Sequence, residues 1–305
     1  MTSTSSPISK VGPPEDAWSR AVGDGLARLA TAVPPGGRGW AVGAACILEA
    51  SAPKPGNVHP GAAFPDLAHA DLVAAAVAIA PVFERAAEAP LGRTILAAVA
   101  ASAAVTRSNA NLGIVLAIAP LAAAAATTPE AVTAVLARLG PADAADVWRA
   151  IALARPGGLG ASDRHDLGGP PPDDLLEAMR AAADRDQIAR LWATGYADLY
   201  RGPVADLCSE LAAARTMPDA IVRAHLRHLG REPDTLIARR HGGPAAVEVS
   251  RRAATVLDGG PDWRAAAAEF DRSLRFPRRV NPGTTADLVA AALYILLRER
   301  WISLP

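Results

Sequence analysis

The sequence predicts an all-α fold, a single compact multi-helix domain with Ala-rich central helices. Helix-favouring Ala, Leu, Arg and Glu dominate its 305 residues, and aromatic residues make up only 4%. No stretch alternates apolar and polar residues with a period of two for long enough to form a strand. Pro/Gly clusters such as Pro34-Pro-Gly-Gly37, Pro156-Gly-Gly158 and Gly168-Gly-Pro-Pro-Pro172 supply the stops between helices. A chain of this length can bury a large core.

Taken in order, helices are predicted over 16–33, 38–51, 69–88, 91–106, 112–126, 129–139 and 143–154, and then over 173–184, 186–200, 203–215, 217–229, 234–240, 244–257, 261–271 and 284–300. Starts such as Thr128-Pro-Glu130 and Thr216-Met-Pro-Asp219 carry a hydroxyl cap followed by proline, which suits a first helical turn. Helices 69–88, 91–106 and 112–126 are rich in Ala on nearly every side, the pattern of a close-packed central layer. The second half carries more charge and clearer amphipathic stripes. Residues 1–15 are Ser/Thr/Pro-rich with no apolar run, so they read as a disordered lead-in to a helical domain over 16–305 rather than as a signal peptide. The Pro/Gly loop at 155–172 is long for an unstructured connection, and such loops are often functional.

Composition excludes several function classes. The formal net charge is zero and the pI is near 7, with both signs interspersed, which argues against a nucleic-acid surface or a polybasic membrane anchor. The apolar run Leu112–Ala126 is too short to span a bilayer, where about 20 residues are needed. Cys46 and Cys208 lie in apolar helical patterns without ligand spacing, so buried thiols are expected. A soluble cytoplasmic protein is the expectation, and the Ala-rich helices offer a face for a homodimer.

Rare residues mark the candidate site. Of 31 basic residues only Lys10 and Lys54 are lysine, and the four asparagines are Asn57, Asn109, Asn111 and Asn281. Nearly all fall in three short segments: Pro53-Lys-Pro-Gly-Asn57, Ser108-Asn-Ala-Asn111 and Asn281-Pro-Gly-Thr-Thr285. In the first, prolines stiffen the backbone around Lys54, whose ammonium is a compact point charge suited to a polyphosphate, with the Asn57 amide as a further donor. Glu49, His59 and Asp66 bring ionisable groups to the same neighbourhood. The bland alternatives are that His59 bonds its own loop and that Asp66 caps the helix starting near residue 69.

The second segment, with Arg107, Asn109 and Asn111, is a polar break between two apolar helices. With Gly113 opening the next helix, it presents a helix N-terminus suited to an anion. Asp163, His165 and Asp166 follow the Gly157-Gly-Leu-Gly160 loop and offer oxygen ligands for Mg2+ or a base. Gly283 and Asp287 open the long C-terminal helix, where an ordinary N-cap is the alternative reading. The run Ile237-Ala-Arg-Arg-His-Gly-Gly243 is a basic helix end able to close over a phosphate. His225 and His228 share a helical side among arginines, so a solvated surface is expected there.

Together these segments resemble the triphosphoribosyl-dephospho-CoA synthase family over most of the chain after about residue 40. The resemblance rests on Glu49 with Pro53-Lys-Pro-Gly-Asn57 and Asp66, on Asn109-Ala-Asn111-Leu-Gly113, on Asp234 through Gly243, and on Asn281-Pro-Gly-Thr-Thr-Ala-Asp287. The loop with Gly157–Gly160 and Asp163–Asp166 looks more like a divergent branch in organisms with methanopterin-linked one-carbon metabolism. The resemblance implies an all-α fold, ATP as ribosyl donor, Mg2+ as cofactor and 3′-dephospho-CoA or a related cofactor precursor as acceptor. For such a reaction Glu49, Asp66 and Asp163 are the candidates for catalysis and Glu49, Asp66 and Asp166 those for the metal, with the choice of base among them left open by the sequence. Lys54, Asn57, His59, Arg107, Asn109, Asn111, Gly283 and Asp287 fall to substrate. A different ATP-dependent ribosyl or nucleotidyl transferase, and a non-catalytic nucleotide-binding protein, are the other functions that fit the same residues.

Overall fold

A computed structural model describes residues 14–108, 110–154, 169–213, 216–302 and 304. Among them there is no strand, and the nearest approach to one is a pair of isolated bridges, His59 to Ala62 and Phe64 to Leu67, in the loop after the second helix. The all-α prediction therefore holds. The first half contains α1 (Pro14–Ala32), α2 (Arg38–Ser51), α3 (His69–Glu84), α4 (Leu91–Val105), α5 (Leu112–Ala123), α6 (Pro129–Leu136) and α7 (Pro141–Ala154). The second half contains α8 (Leu175–Ala182), α9 (Gln187–Ala193), a single turn α10 (Ala197–Leu199), α11 (Ala205–Ala213), α12 (Met217–Arg231), α13 (Thr235–His241), α14 (Gly243–Val256), α15 (Trp263–Arg275) and α16 (Gly283–Arg298). Asn109, Asp163 and Asp166 lie outside the described residues, as does most of the 1–15 lead-in, of which residues 14 and 15 belong to α1.

The enclosed centre differs from the one expected. Residues 41–51 of α2, 114–122 of α5 and 284–296 of α16 are buried on all sides, Asp287 alone excepted. By contrast α3 and α4 bury one face each, and Val105 at the end of α4 is exposed. Alanine on every side marks close helix packing but does not say which helix sits innermost. That position falls to α16, which packs on α2 and α5 from the first half and on α12 from the second.

One long helix expected over 186–200 is broken after α9, because Gly195 and Tyr196 take φ of +59° and +68°. The break serves α5. Pro120 has no N–H, so the carbonyl of Leu116 one turn earlier loses its helical donor. Trp192 Nε1 donates to that carbonyl at 3.1 Å, and the Tyr196 hydroxyl donates to Ala117 O at 2.8 Å. Both side chains are buried, and turning the chain at Gly195 brings Tyr196 into reach.

The histidines of α12 correct another expectation. His225 and His228 are buried, not solvated, and neither ring has a hydrogen-bond partner. The arginines of the same helix lie more openly: Arg223 and Arg227 bond the buried Glu210, and Arg231 bonds Asp206. Burial lowers both imidazole pKa values, that of His228 to about 4. Cys46 is buried and both cysteines are free thiols. No helix among the described residues is long and apolar enough to cross a membrane.

Candidate functional site

A cleft of about 820 Å³ is lined by the loop after α2, the α4–α5 break, α13 and the start of α16, together with α7, α8 and the start of α9. It gathers the three rare-residue segments, which are far apart in sequence. Asn57 Nδ2 donates to Asn281 Oδ1 at 2.6 Å. The Ser108 hydroxyl donates to Asp66 O at 2.7 Å, tying the α4–α5 break to the same loop. Gly56 has φ of +79°, and a Cβ there would lie 2.8 Å from both Val280 O and Pro282 Cδ. Its N–H donates to Asp271 Oδ1 at 2.8 Å. Glycine is thus required where the two Asn-bearing loops press together.

Lys54 does not face this cleft. It is completely buried, and its ammonium donates to the carbonyls of Glu49 and Ala52 and pairs with Glu49 Oε1 at 2.9 Å. The ammonium therefore satisfies the carbonyl end of α2 and neutralises Glu49 from behind, while Glu49 itself lines the cleft. His59 is also absent from the lining. Its Nδ1 accepts the Gly61 N–H at 3.2 Å, and burial together with Lys54 and Arg275 lowers its pKa to about 4. Asp66 lines the cleft but is half exposed and bonded to Arg279, whose hydrogen bond lowers its pKa. It does not cap α3: Asp71 Oδ2 accepts the Ala68 N–H at 2.8 Å.

The positive charge of the cleft comes from arginines instead. Arg107 lines the cleft together with Arg185, Arg239, Arg240 and Arg279. Arg239 pairs with Asp186, whose other oxygen accepts the N–H groups of Ile188 and Ala189 at 2.8 and 3.0 Å, joining α13 to the start of α9. Arg279 pairs with Asp66 and stacks on the Phe64 ring, 4.3 Å from its centroid. Among the described residues, Arg107 and Arg240 make no ion pair. Burial beside Arg279 and Arg239 lowers the pKa of Arg240. This crowding of guanidinium groups favours an incoming anion. The Arg239-Arg240 pair is legible as a basic helix end and Arg279 falls within the run Arg278-Arg-Val-Asn281 before the last helix, with no role read from it; Arg185 carries no motif to single it out.

Two further groups face the cleft without partners. Asn111, 7% exposed, has an Nδ2 with no hydrogen-bond partner. Asp287 makes no hydrogen bond or ion pair among the described residues, and burial, with Glu49 and Asp234 close by, pushes its carboxyl well above the usual carboxylate range. It lies against the start of α5, where a Cβ on Gly113 would sit 1.9 Å from its Oδ2. The glycine after Asn111 is therefore what lets this carboxylate reach the cleft. Gly283, which also lines the cleft, passes so close to Leu236 that a Cβ would fall 2.6 Å from Leu236 Cδ2.

Asp234, which the sequence marks only as part of a longer motif, holds these pieces in place. One oxygen accepts the Ile237 N–H at 3.0 Å and caps α13; the other accepts from the Thr285 N–H and hydroxyl at 2.7 and 2.9 Å. The helix bearing Arg239 and Arg240 is thereby clasped to the helix bearing Asp287. Among the described residues no group of three His, Cys, Asp or Glu side chains is placed to hold a metal by itself.

Comparison with known proteins adds chemistry to this geometry. The model of a family described as ATP:dephospho-CoA triphosphoribosyl transferase matches residues 38–304. A crystal structure from Archaeoglobus fulgidus, provisionally described as a triphosphoribosyl-dephospho-CoA synthase, is similar with a TM-score of 0.61 and 25% identity, over 75% of this chain and 100% of that one. Comparison with curated proteins gives no match.

Proposed function

The chain belongs to the ATP:dephospho-CoA triphosphoribosyl transferase family, and we propose that its cleft transfers the triphosphoribosyl unit of ATP to a hydroxyl of 3′-dephospho-CoA, releasing adenine. The observation that carries this reading is the meeting, in one cleft, of arginines in excess of their carboxylate partners with two unpartnered groups, Asn111 and Asp287. A triphosphate supplies the anionic oxygens that Arg240 and Arg107 lack. Ribose hydroxyls supply both donors and acceptors for Asn57 and Asn111.

In the reaction the ribose C1–N bond to adenine breaks and a C1–O bond to the acceptor forms; the acceptor hydroxyl loses a proton and adenine takes one up. The transition state carries positive charge on the sugar, so fixed carboxylates nearby lower the barrier. Glu49 and Asp287 stand on neighbouring, fully enclosed helices and are held in place by Lys54 and by the Asp234 clasp. Their all-oxygen donor set also fits Mg2+, which commonly takes one or two carboxylates and completes its shell with substrate phosphates. Of the two, Glu49 alone makes an ion pair among the described residues. Bound by Glu49 and Asp287, Mg2+ would neutralise triphosphate charge.

The test is to incubate the purified protein with ATP, Mg2+ and dephospho-CoA and to resolve the products by mass. Free adenine together with the coupled product is the expected result. ATP binding with no adenine release under any acceptor would overturn the transferase reading in favour of a nucleotide-binding protein.

A further inference from the structure

The cleft is larger than its charged part. Beyond the arginines it continues over side chains with no charge: Trp148, Ile151 and Leu153 of α7, Leu175 and Met179 of α8, and Ile188 of α9. The stripe on α8 is regular. Leu175, Ala178, Met179 and Ala182 recur at helical spacing and line the cleft, while Glu177 and Arg180 of the same helix do not. Leu153 is 46% exposed, one of few large apolar side chains so open to solvent among the described residues. An apolar wall continuous with a phosphate-binding wall calls for a ligand that is anionic at one end and uncharged along a chain at the other.

We propose that this wall of α7, α8 and the start of α9 is the acceptor subsite and takes the uncharged pantetheine arm of the acceptor, so that the enzyme selects its acceptor by that arm. The assignment rests on the transferase reading, since it takes the acceptor to be a nucleotide diphosphate esterified to such an arm. The sugar donor has no comparable apolar chain and makes its contacts with the arginines. The two substrates are thereby sorted to different helices: ATP to α13, α16 and the loop after α2, and the acceptor's tail to α7 and α8.

The experiment titrates the full chain with dephospho-CoA and, separately, with ADP, which is the same nucleotide diphosphate without the arm. Both titrations are run with Mg2+ and saturating carbocyclic ATP, whose ring cannot form the sugar cation. The expected result is that dephospho-CoA binds about tenfold or more tightly than ADP, because the arm buries several methylenes. Leu153→Asp should abolish that preference and leave ADP binding unchanged. Met179→Gln, which keeps the volume, should reduce it, and Val247→Asp, a more exposed apolar position outside the cleft, should not alter it. Equal binding of the two nucleotides by the wild type, or a preference that survives Leu153→Asp, would overturn the assignment. Adenine release is read separately with natural ATP: its absence alongside an arm-dependent preference would sink the transfer reading and leave the subsite standing.

Discussion

The protein handles its charges in two ways, and the contrast between Lys54 and the cleft arginines shows the difference. Lys54 is enclosed, its ammonium satisfied by two carbonyls and one carboxylate. The arginines stand at the cleft with too few carboxylates to pair them all. A compact ammonium on a flexible stem fits the closed end of α2, where a planar guanidinium has no room; at the cleft a fork of donors is the better match to phosphate. A residue kept against the compositional trend of its chain thus marks a place where shape is demanding. In this case the demand is structural, one layer behind the ligand.

Breaking the buried pair should have the largest effect. Lys54→Met leaves the Glu49 carboxylate without its cation, and urea unfolding at pH 7 should show a loss of about 3–5 kcal/mol. Lys54→Arg overfills the site and should cost about 1–3 kcal/mol. A Lys54→Arg protein of normal stability that binds ATP poorly would instead return Lys54 to the cleft.

Asp287→Asn tests the other side of the contrast. Turnover should fall by on the order of 10²-fold, as when a group aimed at developing charge is removed. Stability should hold or rise: a carboxyl whose folded pKa is raised weakens the fold as pH climbs above its unfolded value, and Asn removes that loss. A matched fall in Tm and activity would show that Asp287 supports the fold rather than the reaction.

Arg240→Ala should raise the KM for ATP by about 10- to 100-fold, the worth of one or two charge-assisted hydrogen bonds, with Tm shifting by no more than a few degrees. Steady-state adenine release at varied ATP would check this, and an unchanged KM would remove Arg240 from the phosphate site.

The smallest effect is expected from pH. His225 and His228 are buried with lowered pKa values, so the unfolded chain takes up protons first as pH falls. Stability is complete above pH 6.5 or so and declines towards pH 4, by roughly 1.4 kcal/mol per pH unit for each histidine that titrates only on unfolding. His228→Gln should flatten that slope in thermal melts run across the range; an unaltered slope would mean that His228 is protonated in the folded protein.

Much of the site could be read along the chain. Asn57, Asn111, Arg107 and the Asn281–Asp287 segment converge on one cleft because each sits in a polar break between apolar helices, and such breaks collect where helix ends meet. Lys54 and His59 sit in the right loop but turn away from the cleft, since loop membership does not fix side-chain direction. Arg185 and the apolar stripe of α8 carry no mark, and Arg279 stands out only as part of the run 278–287. Arginine is the ordinary cation of this sequence, and a stripe at helical spacing looks the same whether it packs on protein or faces a cavity.

The sequence by itself determined the all-α class, nearly every helix and the family, because apolar period, proline and glycine act locally and survive without knowledge of the partners. Only the tertiary structure decided that α2, α5 and α16 form the enclosed centre, that the α12 histidines are interior, and that Asp234 clasps α13 to α16. Those outcomes depend on which faces meet, and contacts between residues some 50 positions apart, such as Asp234 with Thr285, leave no periodic trace in the chain.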